Sequence, residues 1–140
     1  GEAFWGFQRH GIVPDMVSAY QRLHVAGYAH SIETWINGKL VGGLYCVAIG
    51  RAVFGESMFS LVPDASKLAL AALIAFCRHH GIEWVDCQQN TRHLASLGAR
   101  ETARSDLVRY VRTAITQQPP EWRFEPYLWG ELIVCEKVMT

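Results

Sequence analysis

The fold is decided by residues 30–60, which read HSIETWINGKLVGGLYCVAIGRAVFGESMFS. From residue 30 onward the apolar residues recur with a period of two, which is typical of β-strands. Asn37-Gly38 is the strongest short signal for a hairpin turn, and Gly50-Arg51 places glycine first, as a type II′ turn requires. The stretch therefore predicts an antiparallel meander of three strands at 30–36, 39–49 and 52–60.

Two-residue turns also predict which residues face each other across the meander. Counting outward from the turns places His30 opposite Tyr45, and Tyr45 opposite Glu56. Gly43 is expected on the same face, between Ile32 and Met58, where a missing side chain would leave a notch. An ionised carboxylate among apolar residues costs several kcal/mol, roughly, unless it is paired. The register therefore predicts that Glu56 either serves a ligand or hydrogen-bonds Tyr45 and His30 as a satisfied polar cluster.

Helices are predicted on both sides of the meander. Apolar residues at helical spacing predict a helix at 14–26 and another, buried on most sides, at 67–80. A short strand is expected at 83–88, and further helices at 92–97 and 104–116. The sequence thus predicts an α+β fold, in which a mixed sheet has an antiparallel meander followed by a right-handed strand-helix-strand crossover.

The length of 140 residues fits one domain with short extensions. We expect an N-terminal arm at 1–13, a catalytic domain at 14–118 and an aromatic C-terminal tail at 119–140 packed on it, with a strand candidate at 132–135. No run of about 18 apolar residues occurs, so no membrane span or membrane partner is expected. Four irregularly spaced cysteines favour a reducing, cytoplasmic compartment over a disulfide framework or a zinc site.

Two carboxylates are predicted to face one cavity. Asp86 and Gln88 project to one face at the carboxyl end of the predicted crossover strand, where ligands gather in such units. Glu56 lies in the neighbouring strand. Such a pair can hold a cationic amine, or one member can accept a proton. The capping of turns is the alternative role for these carboxylates.

Arginine is concentrated in the region 92–123, which contains six arginines and only three acidic residues. A local basic patch of this kind would bind phosphates, which guanidinium groups contact with two donors at once. Scattered, solvated surface arginines are the alternative. The formal net charge of zero argues against a protein that coats nucleic acid.

Several motifs in order along the chain resemble those of the bacterial leucyl/phenylalanyl-tRNA-protein transferases, over about residues 17–118. The motifs are H-S-I-E at 30–33, L-V-G-G-L-Y at 40–45, F-G-E-S-M-F-S at 54–60, A-S-K at 65–67 and D-C-Q-Q-N-T-R-H-L-A-S-L-G-A at 86–99. The resemblance implies that an apolar, Leu- or Phe-like aminoacyl group moves from aminoacyl-tRNA to the N-terminal Arg or Lys of a protein, which marks that protein for degradation. It also implies a fold like that of the GCN5-related N-acetyltransferases. No cofactor and no metal are implied, since the aminoacyl ester is already activated.

The resemblance also implies roles for individual residues. Asp86, Gln88 and Glu56 are expected at the reaction centre. The residues expected to contact the substrates are His30, Leu44, Tyr45, Phe54, Ser57, Met58 and Phe59. Those expected to contact tRNA phosphates are Arg92, Arg100, Arg104, Arg109 and Arg112.

The chain departs from the family pattern at several positions. His10-Gly11-Ile12 stands where the family usually has T-W-I, Cys46 where glycine is usual, and Thr102-Ala103 where I-P is common. The family's separate N-terminal domain is also expected to be missing. These departures leave the donor amino acid open, and transfer to a small amine in a peptide pathway remains an alternative.

Two other classes of function remain as alternatives. An acyl-CoA N-acetyltransferase would need a glycine-rich pyrophosphate loop, and none is visible at 59–67. A non-catalytic module that binds N-terminal residues or charged tRNA is the other. The intact trio of Asp86, Gln88 and Glu56 argues against the loss of activity that such a module implies.

Overall fold

The structure, a computed structural model, describes residues 14–87 and 102–132 of the chain. The predicted helix at 92–97 and the residues of the predicted arm at 1–13 lie outside this part. No helix within the described ranges is long and apolar enough to cross a membrane. The elements are α1 (Pro14–Val25), β1 (Ala29–Ile36), β2 (Lys39–Ile49), β3 (Ala52–Ser60), α2 (Ala65–His79), β4 (Val85–Asp86), α3 (Arg104–Ala114) and a 3-10 helix (Pro126–Trp129).

The four strands form one mixed sheet in the order β1-β2-β3-β4. The first three strands are the predicted antiparallel meander, and β3 and β4 are parallel. Asn37 and Gly38 both have positive φ angles, 51° and 77°, as the predicted hairpin turn requires. The α+β class is therefore confirmed, while β4 is shorter than predicted, because only Val85 and Asp86 pair with β3.

The predicted register is wrong by one residue beyond each of two β-bulges. The bulge between β1 and β2 pairs His30 with Cys46 instead of Tyr45. The bulge between β2 and β3 makes Glu56 an extra residue, so that Tyr45 pairs with Ser57. A slip of one residue changes which side chains share a face of the sheet. The predicted row of His30, Tyr45 and Glu56 therefore does not form.

The sheet buries apolar side chains on both faces. On the α2 face, alternate residues of β2 pack against helix α2. On the opposite face, here named the Tyr45 face, Tyr45 and Phe59 pack with Ala29 and with Leu23 of α1. The cluster on the α2 face, here named the α2 core, consists of Leu44, Cys46, Ala48, Val53, Ala69, Leu70, Leu73, Phe76, Cys77, Ile82 and Leu128.

Gly43 does not form the predicted notch. It pairs with Glu33 and Phe59 instead of lying between Ile32 and Met58. A Cβ atom at this position would lie 3.0 Å from Cε1 of Phe59. The ring of Phe59 therefore occupies the space that the missing side chain leaves.

The aromatic tail packs on α2 through Trp122 and Leu128. Leu128 is almost fully buried in the α2 core. The Trp122 ring stacks on Phe76 at 4.6 Å between ring centroids, and on His30 at 4.2 Å. The tail contains a 3-10 helix, and Leu132 lies in a helical turn where a strand was predicted. The other residues of that strand candidate lie outside the described part.

Arg51 connects the β2–β3 turn to the ends of two helices. Its backbone N–H donates to the carbonyl oxygen of Ala114, the last residue of α3, at 2.8 Å. Its Nε donates to the carbonyl oxygen of Gln118 at 3.0 Å, and its Nη1 donates to that of His80, just after α2. A cation at these positions complements the partial negative charge of helix C-termini. The turn thus holds the ends of α2 and α3 together.

Candidate reaction site

Asp86 lies on the Tyr45 face of the sheet. Its neighbours Val85 and Cys87 pack against the α2 core, and side chains alternate between faces along a strand. Asp86 pairs with Phe54 in the parallel β3–β4 ladder and is half-buried. Where β4 ends, the chain still runs beside β3, since a Cβ atom on Gly55 would lie 3.6 Å from the Asp86 carbonyl oxygen.

Glu56 is the extra residue of the β3 bulge. Because it is an extra residue in the ladder, the alternation of faces along β3 is interrupted there: Phe54 shares the Tyr45 face with Asp86, whereas Met58 packs against the α2 core. The strand spacing and the rise per residue put the Cα atoms of Glu56 and Asp86 roughly 8 Å apart. Both carboxylates also interact with neighbouring groups. The two predicted carboxylates thus lie close together on adjacent strands.

The environment of Glu56 differs from the prediction. The sequence places this carboxylate among apolar strand residues, but the structure exposes it to solvent. A bulge is a common device for turning a side chain out of the regular ladder next to a functional site. Glu56 therefore avoids the desolvation cost that the sequence analysis assigned to it.

The sheet divides the predicted substrate residues between its two faces. Leu44 is buried in the α2 core, and Met58 packs against the same cluster. Tyr45 and Phe59 are buried on the other face. Leu44 and Met58 therefore do not line one pocket together with Phe59.

Ser57 has a buried hydroxyl beside the bulge. Its Oγ has no hydrogen-bond partner within the described part of the chain. It pairs with Tyr45 and follows Glu56 directly. Because buried hydroxyl groups are normally hydrogen-bonded, this one is suited to a polar atom of a ligand.

His30 lies apart from the two carboxylates, on the α2 face. It lines a groove of about 470 Å³ between β1, α2 and the tail, which neither Glu56 nor Asp86 lines. Its Nε2 is buried without a hydrogen-bond partner, and its ring is nearly parallel to Trp122, with 8° between the planes. The expected contact of His30 with the other site residues is therefore not formed in the sheet.

Aromatic residues of the tail also line this groove, and the sequence analysis did not single them out. They are Trp122, Phe124 and Trp129. The density of aromatic residues after residue 121 was the available signal, but it indicated only that the tail is buried.

The buried imidazole of His30 makes stability depend on pH. Burial, aided by the charge of His24, lowers the pKa of His30 from 6.5 to about 4. Between these pH values the unfolded chain takes up a proton that the folded protein does not. The contribution of His30 to the free energy of unfolding is therefore fully present above pH 6.5 and is lost as the pH falls towards 4. Because the ring is only half-buried, we expect a loss on the order of 1–2 kcal/mol.

Urea unfolding at pH 7 and pH 5 checks this, with His30→Phe as the control. Phenylalanine keeps a ring for stacking on Trp122 but cannot take up a proton. His80, whose pKa is also lowered by burial first and by the charges of His79 and Arg51, contributes equally to both proteins. The variant should therefore lose less stability than the parent, and an equal loss would contradict the assignment to His30.

The described cysteines are not poised as nucleophiles. Burial raises the pKa of Cys46 and of Cys77 to about 12, and nearby thiols and Glu56 add to the effect. Burial and the charge of Asp86 raise the pKa of Cys87, whose thiol donates to the carbonyl oxygen of Val85 at 3.7 Å. These thiols therefore stay protonated near neutral pH.

Within residues 14–87 and 102–132, no cluster of three or more His, Cys, Asp or Glu side chains is placed to hold a metal ion.

The remaining predicted residues fall into two groups. Arg104, Arg109 and Arg112 are exposed on α3. Gln88, Arg92 and Arg100 lie outside the described residues.

Comparison with known proteins agrees with the resemblance. The sequence model of the family "Leucyl/phenylalanyl-tRNA protein transferase" matches residues 7–112. A protein of that name from a Polaromonas species is 63% identical over 126 residues, which are 90% of this chain and 49% of the relative. Its counterpart from Albidiferax ferrireducens is 58% identical, over 92% of this chain and 51% of the relative.

A third relative of the same name, from Bordetella petrii, is 59% identical over 80% of this chain and 44% of its own length. The chain thus spans about half the length of the curated relatives it matches. Because the family model covers most of the sequence, this chain belongs to the leucyl/phenylalanyl-tRNA protein transferase family.

Proposed function

We propose that this chain carries the reaction centre of an aminoacyltransferase, which moves a leucyl or phenylalanyl group from tRNA to the N-terminal amine of an acceptor protein. The observation that carries the proposal is the placement of Asp86 and Glu56 close together on adjacent strands, beside the end of β4. The names of the relatives supply the donor, an aminoacyl-tRNA, and the acceptor, a protein. We propose the cytoplasm as its location.

The overall architecture supports a fold like that of the GCN5-related N-acetyltransferases. In the described part, an antiparallel meander is followed by a helix and a strand parallel to the third strand. Ligands of sheets with parallel strands gather beyond the carboxyl ends of those strands. The end of β4, at Asp86, is therefore the proposed place of reaction.

The chemistry needs two substrates in the right orientation. The nitrogen of the acceptor amine forms a bond to the ester carbonyl carbon, the ester C–O bond breaks, and the tRNA leaves with its terminal hydroxyl. The amine gives up a proton in the process. We propose that Asp86 hydrogen-bonds this amine and helps to take its proton, and that Gln88 orients the ester carbonyl.

The remaining site residues are proposed to bind the substrates. Glu56, exposed at the bulge, is suited to pair with the basic side chain of an acceptor that begins with Arg or Lys. Phe54, half-buried beside Asp86, is proposed as an apolar wall. The unpartnered hydroxyl of Ser57 would bind a polar atom of either substrate.

A transfer assay tests the proposal. The purified chain is mixed with tRNA charged with labelled phenylalanine or leucine and with a peptide that begins with Arg. We expect label in the peptide, and none when the peptide amine is acetylated or when the first residue is Ala. A failure to label any peptide or small amine would contradict the proposed function, and tight binding of acetyl-CoA in calorimetry would favour an acetyltransferase instead.

A further inference from the structure

Helix α3 has a docked side and a charged side. Tyr110 stacks on Trp84, with ring centroids 4.9 Å apart and 20° between the planes, and Ala114 is buried. Arg104, Arg109 and Arg112 are all exposed. At about 100° per residue these three arginines lie within an arc of about 140° whose centre is opposite Tyr110. The helix therefore packs by one side and turns its arginines to solvent.

The three arginines form no ion pair with another residue of the described part of the chain. Ion pairs in that part join other residues, among them Lys67 to Asp64, His79 to Glu131, and Arg123 to Glu125. Asp106 is the acidic residue of α3, and it forms no ion pair with these arginines.

The placement of Arg104 also argues against a role within the helix. It lies in the first turn of α3, where the helix dipole disfavours a positive charge. Arg104 therefore does not stabilise α3, and its charge is open to an anionic partner, as are the exposed charges of Arg109 and Arg112.

The position of α3 relates these charges to Asp86. Trp84, on which α3 docks, lies two residues before Asp86, about 7 Å along the chain if extended. A helix with its side chains is about 10–12 Å thick. The arginines are therefore roughly 15–20 Å from Asp86. The single-stranded 3′ end of a tRNA, about four nucleotides long, spans about 14 Å when stacked and more when extended.

We propose that the arginine side of α3 binds backbone phosphates of the tRNA acceptor stem while the 3′ end reaches the end of β4. The inference rests on the proposed function, because it takes a charged tRNA as the donor. Guanidinium groups suit this partner, since each presents two parallel donors to a phosphate. Contacts to phosphates position a nucleic acid without reading its sequence, so the surface should accept tRNAs that differ in sequence.

A triple variant, Arg104→Gln, Arg109→Gln and Arg112→Gln, tests the surface. Binding of uncharged tRNA is measured at several salt concentrations. We expect the affinity at low salt to fall about tenfold or more, and the slope of log K against log salt to become shallower by about 2 to 3. The matched control removes three exposed charges elsewhere, in Arg22→Gln, Lys39→Gln and Lys67→Gln, and should keep most of the affinity and the slope. Equal losses in the two variants would overturn the inference.

A second donor separates this inference from the proposed function. Phenylalanyl-adenosine carries the reactive ester but no stem, so the triple variant should use it as fast as the parent does. With subsaturating Phe-tRNA the triple variant should be about tenfold slower than the parent. Equal rates of the two proteins with Phe-tRNA would overturn the inference. A parent chain that uses neither donor would overturn the proposed function, and the tRNA-binding measurements would then still test whether the arginine side of α3 binds tRNA.

Discussion

Asp86→Asn is expected to slow transfer from Phe-tRNA to an Arg-starting peptide by a factor of about 100 or more. The side chains of asparagine and aspartate have nearly the same shape, so the packing at the end of β4 should persist. The amide carries no negative charge and does not accept a proton from the incoming amine. The loss should therefore appear in the chemical step and leave the affinity for tRNA largely unchanged.

Single-turnover rates at saturating Phe-tRNA, together with tRNA binding, measure this effect. The matched control is Asp64→Asn, which makes the same chemical change at an exposed position far from β4 in sequence. Asp64 has a positive φ of 66°, which asparagine adopts readily. Unaltered turnover in the Asp86 variant, with both proteins folded, would reject the proposed role of this carboxylate.

Gly42→Ala should destabilise the fold by about 3 kcal/mol or more. A Cβ atom on Gly42 would lie 2.8 Å from the carbonyl carbon of Ala65 and 3.0 Å from the backbone nitrogen of Ser66. These are backbone atoms in the first turn of α2, so they cannot yield as a flexible side chain can. The same turn is held to β1 by Thr34, whose Oγ1 donates to the carbonyl oxygen of Ala65 at 2.7 Å.

The control for this substitution is Gly130→Ala. Gly130 has an ordinary helical φ of −61°, and within the described residues no atom apart from the adjacent backbone and chain neighbours lies within 4 Å of the position that its Cβ would take. This variant should change stability by less than about 0.5 kcal/mol, or increase it slightly. Urea unfolding midpoints measure both variants. A Gly42→Ala midpoint as high as that of Gly130→Ala would contradict the close approach of α2 to β2.

The strands of the meander were predictable because their signals are local. Asn37-Gly38 and Gly50-Arg51 specify turns by their own backbone preferences, without reference to the rest of the chain. The structure places β2 and β3 at the predicted residues, and β1 begins one residue earlier than predicted. The parallel partner of β3 was also predicted, although its paired length was not, because that length depends on where two distant segments meet.

The bulges account for the errors in the site. Counting outward from a turn assumes an unbroken ladder, and one extra residue in a strand exchanges the two faces beyond it. Both irregularities adjoin glycines, Gly42 near the first and Gly55 directly before Glu56. A glycine inside a strand is a known sign of a bulge, so this signal was present in the sequence. A bulge at Gly55 removes Glu56 from the predicted buried row.

The groove beside His30 was not predictable in the same way. It forms only when residues 122–129, far along the chain, fold back over α2 and β1. Aromatic composition indicates that such a tail is buried, but it does not indicate where. The position of Asp86 at the end of a strand parallel to β3, in contrast, was predicted from the crossover, and this is the part of the candidate site that the sequence predicted best.

The Gly50-Arg51 turn has a consequence for how the chain can change in length. Two-residue surface loops of this kind ordinarily tolerate insertions, since they make few contacts. A Cβ atom on Gly50 would lie within 2.7 Å of the carbonyl oxygens of Ala114, Ile115 and Gln117, and Arg51 hydrogen-bonds this same segment and His80. One inserted residue would break the contacts of the loop with the ends of both helices. The length of this loop is therefore limited by its contacts with α2 and α3 more than by the two strands that it connects.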